Sequence, residues 1–224
     1  MCCCADGLIV KHGHALDAAR GERSQGAVGR LRCAQSGPLI ARQPIELRSG
    51  SGGAGGERMF AIKDSTHVMA PVERCFLLST SLKIVERELG MHPAAGNYVG
   101  EDGVRRAMRT EGLVESGDRV RWVGWQLGLP HHHVSLISRY ERNHFFQDKM
   151  IAGRFQSFCH DHEFTEIGGQ VLLKDTVRFA MPVGFAGRMV GRHVMVPHIR
   201  GLLQRRFALL KRIAESEEWR EYLE

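Results

Sequence analysis

His160 and His162 stand two residues apart in the run Phe158-Cys159-His160-Asp161-His162-Glu163-Phe164. Asp175 follows across a Gly168-Gly169 pair, within Leu173-Lys174-Asp175-Thr176-Val177-Arg178-Phe179. Imidazole titrates nearest neutrality of all side chains, and a carboxylate beside it sets which ring nitrogen carries the proton. Three readings of the trio are open. It is a hydrogen-bonded polar cluster inside an apolar interior, or the polar end of a ligand pocket that orients a carbonyl or hydroxyl. Alternatively, it supplies the ligand types of a two-histidine, one-carboxylate metal site. The metal reading ranks last, and no metal or other cofactor is expected. If the trio is catalytic, His162 is the candidate general acid or base, Asp175 sets its tautomer, and His160 polarises a carbonyl.

The three residues must be brought together by strands. With a period of two, Phe158, His160, His162 and Phe164 share one face of a strand, and Val171, Leu173, Asp175, Val177 and Phe179 share one face of the next. A Gly-Gly pair between alternating runs marks a two-residue hairpin, because both central positions can take positive φ without a Cβ clash. That turn sets Ile167 opposite Gln170, Phe164 opposite Leu173, Glu163 opposite Lys174 and His162 opposite Asp175. Both faces then make favourable cross-strand pairs, which supports the register.

The chain has 224 residues, 43% of them hydrophobic, enough for one domain with a substantial core and an appendage. No apolar run is long enough to span a bilayer, and the N-terminus lacks a basic start followed by an apolar core; a cytoplasmic protein without a membrane partner is expected. Six cysteines, three of them the run Cys2-Cys3-Cys4, form neither a disulfide framework nor a zinc spacing. The net charge is +6, but Lys and Arg are dispersed along the chain, so a nucleic-acid partner is disfavoured.

Residues 1–57 carry no sustained period and end in the Gly/Ser-rich stretch Ser49 to Gly56. They are expected to form a disordered leader and linker, with Met59 as an alternative translation start and 58–224 as the folded domain. A first strand through Phe60, Ile62 and Val68 is followed by a helix opening at Ala70-Pro71, with Pro at its first position, and by a second helix from Leu82 to Leu89 closing at Gly90. His92 to Gly117 is expected to be loop with a short strand near Val104 to Leu113. Five strand-like runs follow, Arg119 to Leu127, His132 to Tyr140, His144 to Gly153, Phe155 to Ile167 and Gln170 to Met181, joined by short turns as antiparallel neighbours. His131-His132-His133 is read as a surface turn. Pro197 is expected to divide the remaining helix into Phe185 to His193 and His198 to Tyr222. The second piece carries an apolar stripe of Ile199, Leu203, Phe207, Leu210 and Ala214. Arg206, next to the stripe, is expected to snorkel to water.

A strand, two short helices, an antiparallel meander and a long terminal helix define an α+β helix-grip arrangement of about six curved strands. On the start Ala70-Pro71-Val72-Glu73-Arg74-Cys75-Phe76, on Gly117-Asp118 before a Trp-containing strand, on Gly153-Arg154-Phe155 through Phe164, and on Asp175 with Pro182, the chain resembles the START, Bet v 1-like and polyketide cyclase/dehydrase (SRPBCC) proteins. The likeness is strongest to their bacterial ligand-binding group and covers about 59 to 214. It implies a cavity between sheet and terminal helix that takes a small, mostly apolar, lipid- or polyketide-like ligand, or an enzyme of cyclase/dehydratase type acting through a His/Asp pair. Scaffolds of this kind host both, so activity stays open. The expected pocket residues are Phe158, His160, His162, Phe164, Leu173, Asp175, Val177 and Phe179 from the hairpin, and Ile199, Leu203 and Phe207 from the helix.

Overall fold

The computed structural model describes residues 46–49 and 58–224. The rest of the expected leader, 1–45 and 50–57, lies outside the described residues. The described chain runs β1 (Glu46–Ser49), β2 (Arg58–Val68), α1 (Val72–Thr80), α2 (Leu82–Leu89), β3 (Met91–Ala94), β4 (Asn97–Val99), β5 (Arg105–Ala107), β6 (Arg119–Gln126), β7 (Leu129–Glu141), β8 (Phe145–Ala152), β9 (Ser157–Ile167) and β10 (Gln170–Ala180). Helices α3 (Gly184–Val190) and α4 (Val196–Ala214) follow, joined by a π-helical turn at Gly191–Met195, and a short α5 (Arg220–Leu223) ends the chain.

Eight strands form one antiparallel sheet in the order β1-β2-β10-β9-β8-β7-β6-β3, while β4 and β5 pair separately. The sheet is the expected meander with one strand added at each edge. Its β1 lies inside the stretch read as a leader and pairs Glu46 to Ala61 and Ser49 to Arg58, covering the edge that β2 would otherwise leave open. At the other edge β3 contains Pro93, which is tolerated because that strand has a single neighbour, β6. The glycines and the proline of this region mask its strand character. The short strand expected near Val104 to Leu113 is only Arg105–Ala107.

The hairpin has the expected register. Ile167 faces Gln170, Phe164 faces Leu173, Glu163 faces Lys174 and His162 faces Asp175, with Gly168 at φ 58° and Gly169 at φ 79°. On the outer face Lys174 Nζ donates to Glu163 at 2.8 Å. Pro71 is the N-cap of α1 rather than its first helical residue, with extended ψ of 143°. Gly90 closes α2 in the left-handed conformation, φ 63°.

Pro197 does not break the terminal helix. A proline lacks an N–H and crowds the carbonyl one turn earlier, so a regular α-helix would kink there. The chain widens into a π turn just before it, the Val196 N–H bonds Gly191 O, and α3 and α4 run on as one helix from Gly184 to Ala214. Gly191 is needed at this point because a Cβ would meet the Phe60 ring at 2.5 Å. The helix ends at Ala214 rather than near Tyr222, and Ser216 Oγ accepts from Glu218 N to start the final turn.

The stripe of α4 is buried as its spacing requires: Ile199, Leu203, Phe207, Leu210, Ile213 and Ala214 all face the sheet. Phe207, Leu210 and Ile213 join a core with Phe76, Phe164 and Leu173, whereas Ile199 and Leu203 pack with Phe60, Ile62, Val177 and Phe179. No helix among the described residues is long and apolar enough to cross a membrane.

Candidate functional site

Between the inner face of the sheet, α2 and the terminal helix lies a cavity of about 530 Å³. Most of its wall is apolar, with Leu82 and Val85 from α2, Trp122 from β6, Ile137 from β7, Phe158 from β9 and Leu203 from α4. Six of the expected pocket residues line it: Phe158, His160, His162, Val177, Ile199 and Leu203. Five do not. Phe164, Leu173 and Phe207 lie at the end of the sheet that α1 plugs, where the Phe76 ring meets Phe164 and Phe146 edge-on at 5.2 and 5.8 Å. Phe179 stacks on Phe60 at 5.1 Å in the core packed under Ile199 and Leu203, and Asp175 is held among the two histidines and Arg206. The inner face is longer than the cavity, so sharing that face does not place a residue on its wall. Of the two strand tryptophans, Trp122 faces in and Trp125 is 67% exposed, as their opposite parity requires.

The polar part of the wall is a buried charge cluster. Arg206 is 3% exposed and does not reach water as expected. Its Nε donates to Asp175 Oδ2 at 3.0 Å, its Nη1 donates to Glu88 Oε2 at 2.7 Å, and its Nη2 lies 3.3 Å from His162 Nδ1. His162 Nδ1 is 3.0 Å from Asp175 Oδ1. His160 Nε2 lies 3.1 Å from Asp175 Oδ2, within ion-pair range but without the alignment of a hydrogen bond. The His162 ring stacks on Phe146 at 4.1 Å and lies tilted against His160, with centroids 3.8 Å apart.

Burial, with His160 beside it, pushes His162 down to about 3. Burial alone would raise the Asp175 carboxyl, but the neighbouring imidazoles and Arg206 hold it well below the usual carboxylate range. With His162 neutral near pH 7, the permanent charge that does this is Arg206. His162 Nδ1 thus stands between an acceptor, Asp175 Oδ1, and a donor, Arg206 Nη2. Burial raises Glu88 despite its bond to Arg206. One guanidinium thus ties α2, α4, β9 and β10 together, and Asp175 has both oxygens engaged.

The donor atoms of His160, His162 and Asp175 lie within 4.8 Å of one another, the spacing of a three-ligand metal site. The Arg206 guanidinium already lies against two of the three, 3.0 Å from Asp175 Oδ2 and 3.3 Å from His162 Nδ1, and its positive charge opposes a second cation there.

The polar strip continues across the sheet through residues that the hairpin pattern did not reveal. Asp148 of β8 faces His160 in register; its Oδ2 accepts from Ser135 Oγ at 3.1 Å, and its Oδ1 is buried with no protein partner. Burial raises the Asp148 carboxyl. Parity carries the signal, since Phe146, Asp148 and Met150 alternate inward. In the same way His131, His133 and Ser135 line the cavity from β7, so the histidine triplet is strand and not a surface turn. His133 is pushed down to about 4 by burial and by its two neighbouring histidines, and its Nδ1 has no partner.

These two depressed imidazoles set a pH dependence. Between pH 6.5, the ordinary imidazole value, and about 4, the unfolded chain binds more protons at His133 and His162 than the folded one. Stability is therefore lost as pH falls through that window, by up to about 1.4 kcal/mol per pH unit for each imidazole. Asp148 and Glu88, with raised values, oppose the loss just above the ordinary carboxylate range. Urea unfolding across the window should show the fall, and His133→Asn should flatten its slope by about one proton. An unchanged slope would mean that His133 is solvated.

No family model matches the chain, and no curated protein matches it in sequence. Solved structures do match. A protein of Thermus thermophilus is 14% identical, with a TM-score of 0.52 over 68% of this chain and 94% of that one. A major latex-like protein of Panax ginseng is 10% identical, with a TM-score of 0.51 over 70% and 99%. A norcoclaurine synthase point mutant of Thalictrum flavum, solved with a transition-state analogue, is 12% identical, with a TM-score of 0.50 over 70% and 94%. The chain shares the helix-grip fold with these structures. At these identities the likeness covers architecture, and the side chains described above belong to this chain.

Proposed function

We propose that residues 58–224 form a domain that binds a small, mostly apolar ligand, lipid- or polyketide-like, between the sheet and the terminal helix. The observation that carries this reading is the cavity of about 530 Å³, apolar on most sides, with an unpartnered Asp148 oxygen buried in its wall. A void of that size is in the range that encloses a drug-sized molecule, and a few converging polar groups orient such ligands. The apolar body would lie along Trp122, Ile137 and Val177, with a hydroxyl or carbonyl directed to Asp148 and His160. The free thiols of Cys75 and Cys159 fit a cytosolic location.

Native mass spectrometry of the protein purified from its own host tests the proposal. A retained organic adduct, released by solvent extraction, is the expected result. Absence of any adduct, together with failure of the extracted protein to take up anilinonaphthalene sulfonate, would refute it.

Asp148 also favours a second reading, catalysis of the cyclase/dehydratase type in the same cavity. A buried carboxyl whose pKa is raised keeps its proton to higher pH than an ordinary one, and in that form it can donate to a leaving hydroxyl. His162 and Asp175 are poorer candidates, because one is a weak base and the other is held by Arg206. Once the retained molecule is identified, its mass after incubation with wild type and with Asp148→Asn separates the readings. Conversion that stops in the variant while binding persists indicates an enzyme.

A further inference from the structure

The cavity opens through a rim that is apolar on its outer side. Leu127 in the β6–β7 turn, Leu129 at the start of β7, and Val190 and Val194 from the α3 and π-turn segment line the cavity and are themselves 43–56% exposed. Phe185 on α3 is 69% exposed, with the Arg188 guanidinium 5.4 Å from its ring centroid. Exposed apolar side chains are common singly, but here four of them border one opening and Phe185 lies on the same helical segment as two of these.

Backbone conformation marks the same region. Leu127 and Val183 hold left-handed φ values of 53° and 67°, and both are exposed. The third non-glycine residue of this kind is Asn143, a type that tolerates that region, whereas leucine and β-branched valine do not. Burial does not explain an apolar side chain at either strained position, so their exposure points outward to a partner.

Charge identifies that partner. The stretches that carry these exposed side chains, 119–140 and 176–214, and the neighbouring 149–160 contain no Asp or Glu, and Arg154, Arg188, Arg192 and Arg205 are exposed on them. A nucleic-acid backbone would pair with the arginines but leave Phe185 and Val190 in water. The headgroup and acyl boundary of an anionic bilayer accepts both.

We propose that this rim docks on an anionic phospholipid surface, with Phe185, Val190 and Leu127 entering the interface and Arg188 and Arg192 pairing with headgroups. The expectation of no membrane partner rested on the lack of a spanning segment, and peripheral docking needs none. The inference goes beyond the ligand reading and does not depend on what the cavity holds.

Cosedimentation with vesicles of phosphatidylcholine alone, and of phosphatidylcholine with phosphatidylserine, tests it. Retention is expected on the mixed vesicles and should fall with added salt. Phe185→Ser should lower it roughly tenfold, and Arg188→Gln and Arg192→Gln about fivefold each. Arg220→Gln, which removes the same charge beyond the far end of the long helix, should leave it unchanged. Val183→Asn should raise the unfolding temperature while weakening retention, a combination that loss of fold cannot produce. No retention on mixed vesicles, or equal retention on neutral ones, overturns the proposal. So does duplex-DNA binding that is stronger than vesicle binding and indifferent to Phe185→Ser, an outcome that would assign the surface to nucleic acid. Native mass spectrometry of the same variants reads cavity occupancy independently, so failure here is distinct from failure of the ligand reading.

Discussion

Arg206→Met is expected to lower the unfolding free energy by about 3–5 kcal/mol, the cost of removing one partner from a buried charge cluster. Methionine fills much of the same volume, so little of the loss comes from packing. It comes from Asp175 and Glu88, which are left as buried carboxylates without their counter-ion. In a domain of this size the loss should appear as a fall in Tm of about 10 °C. The deficit should shrink on acidification, because both stranded carboxyls can be neutralised by protonation. Combining Arg206→Met with Glu88→Leu and Asp175→Leu should recover most of the stability, since apolar replacement of a complete buried cluster is often neutral. A loss below about 1 kcal/mol for the single variant would mean that the cluster is hydrated.

The second large effect is expected for Val177→Trp. Val177 lies on the cavity wall at the middle of β10, opposite His160 on one side and Ile62 on the other. Its backbone is pinned by both neighbours, so added ring atoms have only the cavity to enter. Overpacking a filled core costs stability, but an open void can take the ring with little strain. Ligand retention should fall roughly a hundredfold while the unfolding temperature changes little. Uptake of anilinonaphthalene sulfonate and the adduct in native mass spectra both measure it. Undiminished uptake would move the binding site elsewhere on the molecule.

Much of the fold was legible in the chain because the signals are local. The Gly168-Gly169 turn sets a register in which every cross-strand pair follows from parity, and the stripe on α4 follows from a 3.6-residue period. What was missed has physical causes. Pro197 marks a helix end in most contexts, and only a π turn, which has no strong sequence signature, lets the chain pass it. Pro93 argues against a strand except at a sheet edge, and edges are known only once the strand order is known. Arg206 stands at a stripe position but carries a charge, so solvent was the natural destination until Glu88 and Asp175 came within reach.

By itself, the sequence determined that His160, His162 and Asp175 meet on one face of a hairpin and that a long amphipathic helix covers that face. These are consequences of alternation, turn chemistry and helical period, each acting over a few residues. Tertiary structure alone decided that Asp175 is held by a guanidinium instead of being free for proton transfer. It likewise decided that Phe164, Leu173 and Phe207 fill the core while Trp122, His133 and Asp148 line the void. Those outcomes depend on how far α1 reaches along the sheet and on which distant charges meet in the buried interior, where one 3 Å contact outweighs any local preference.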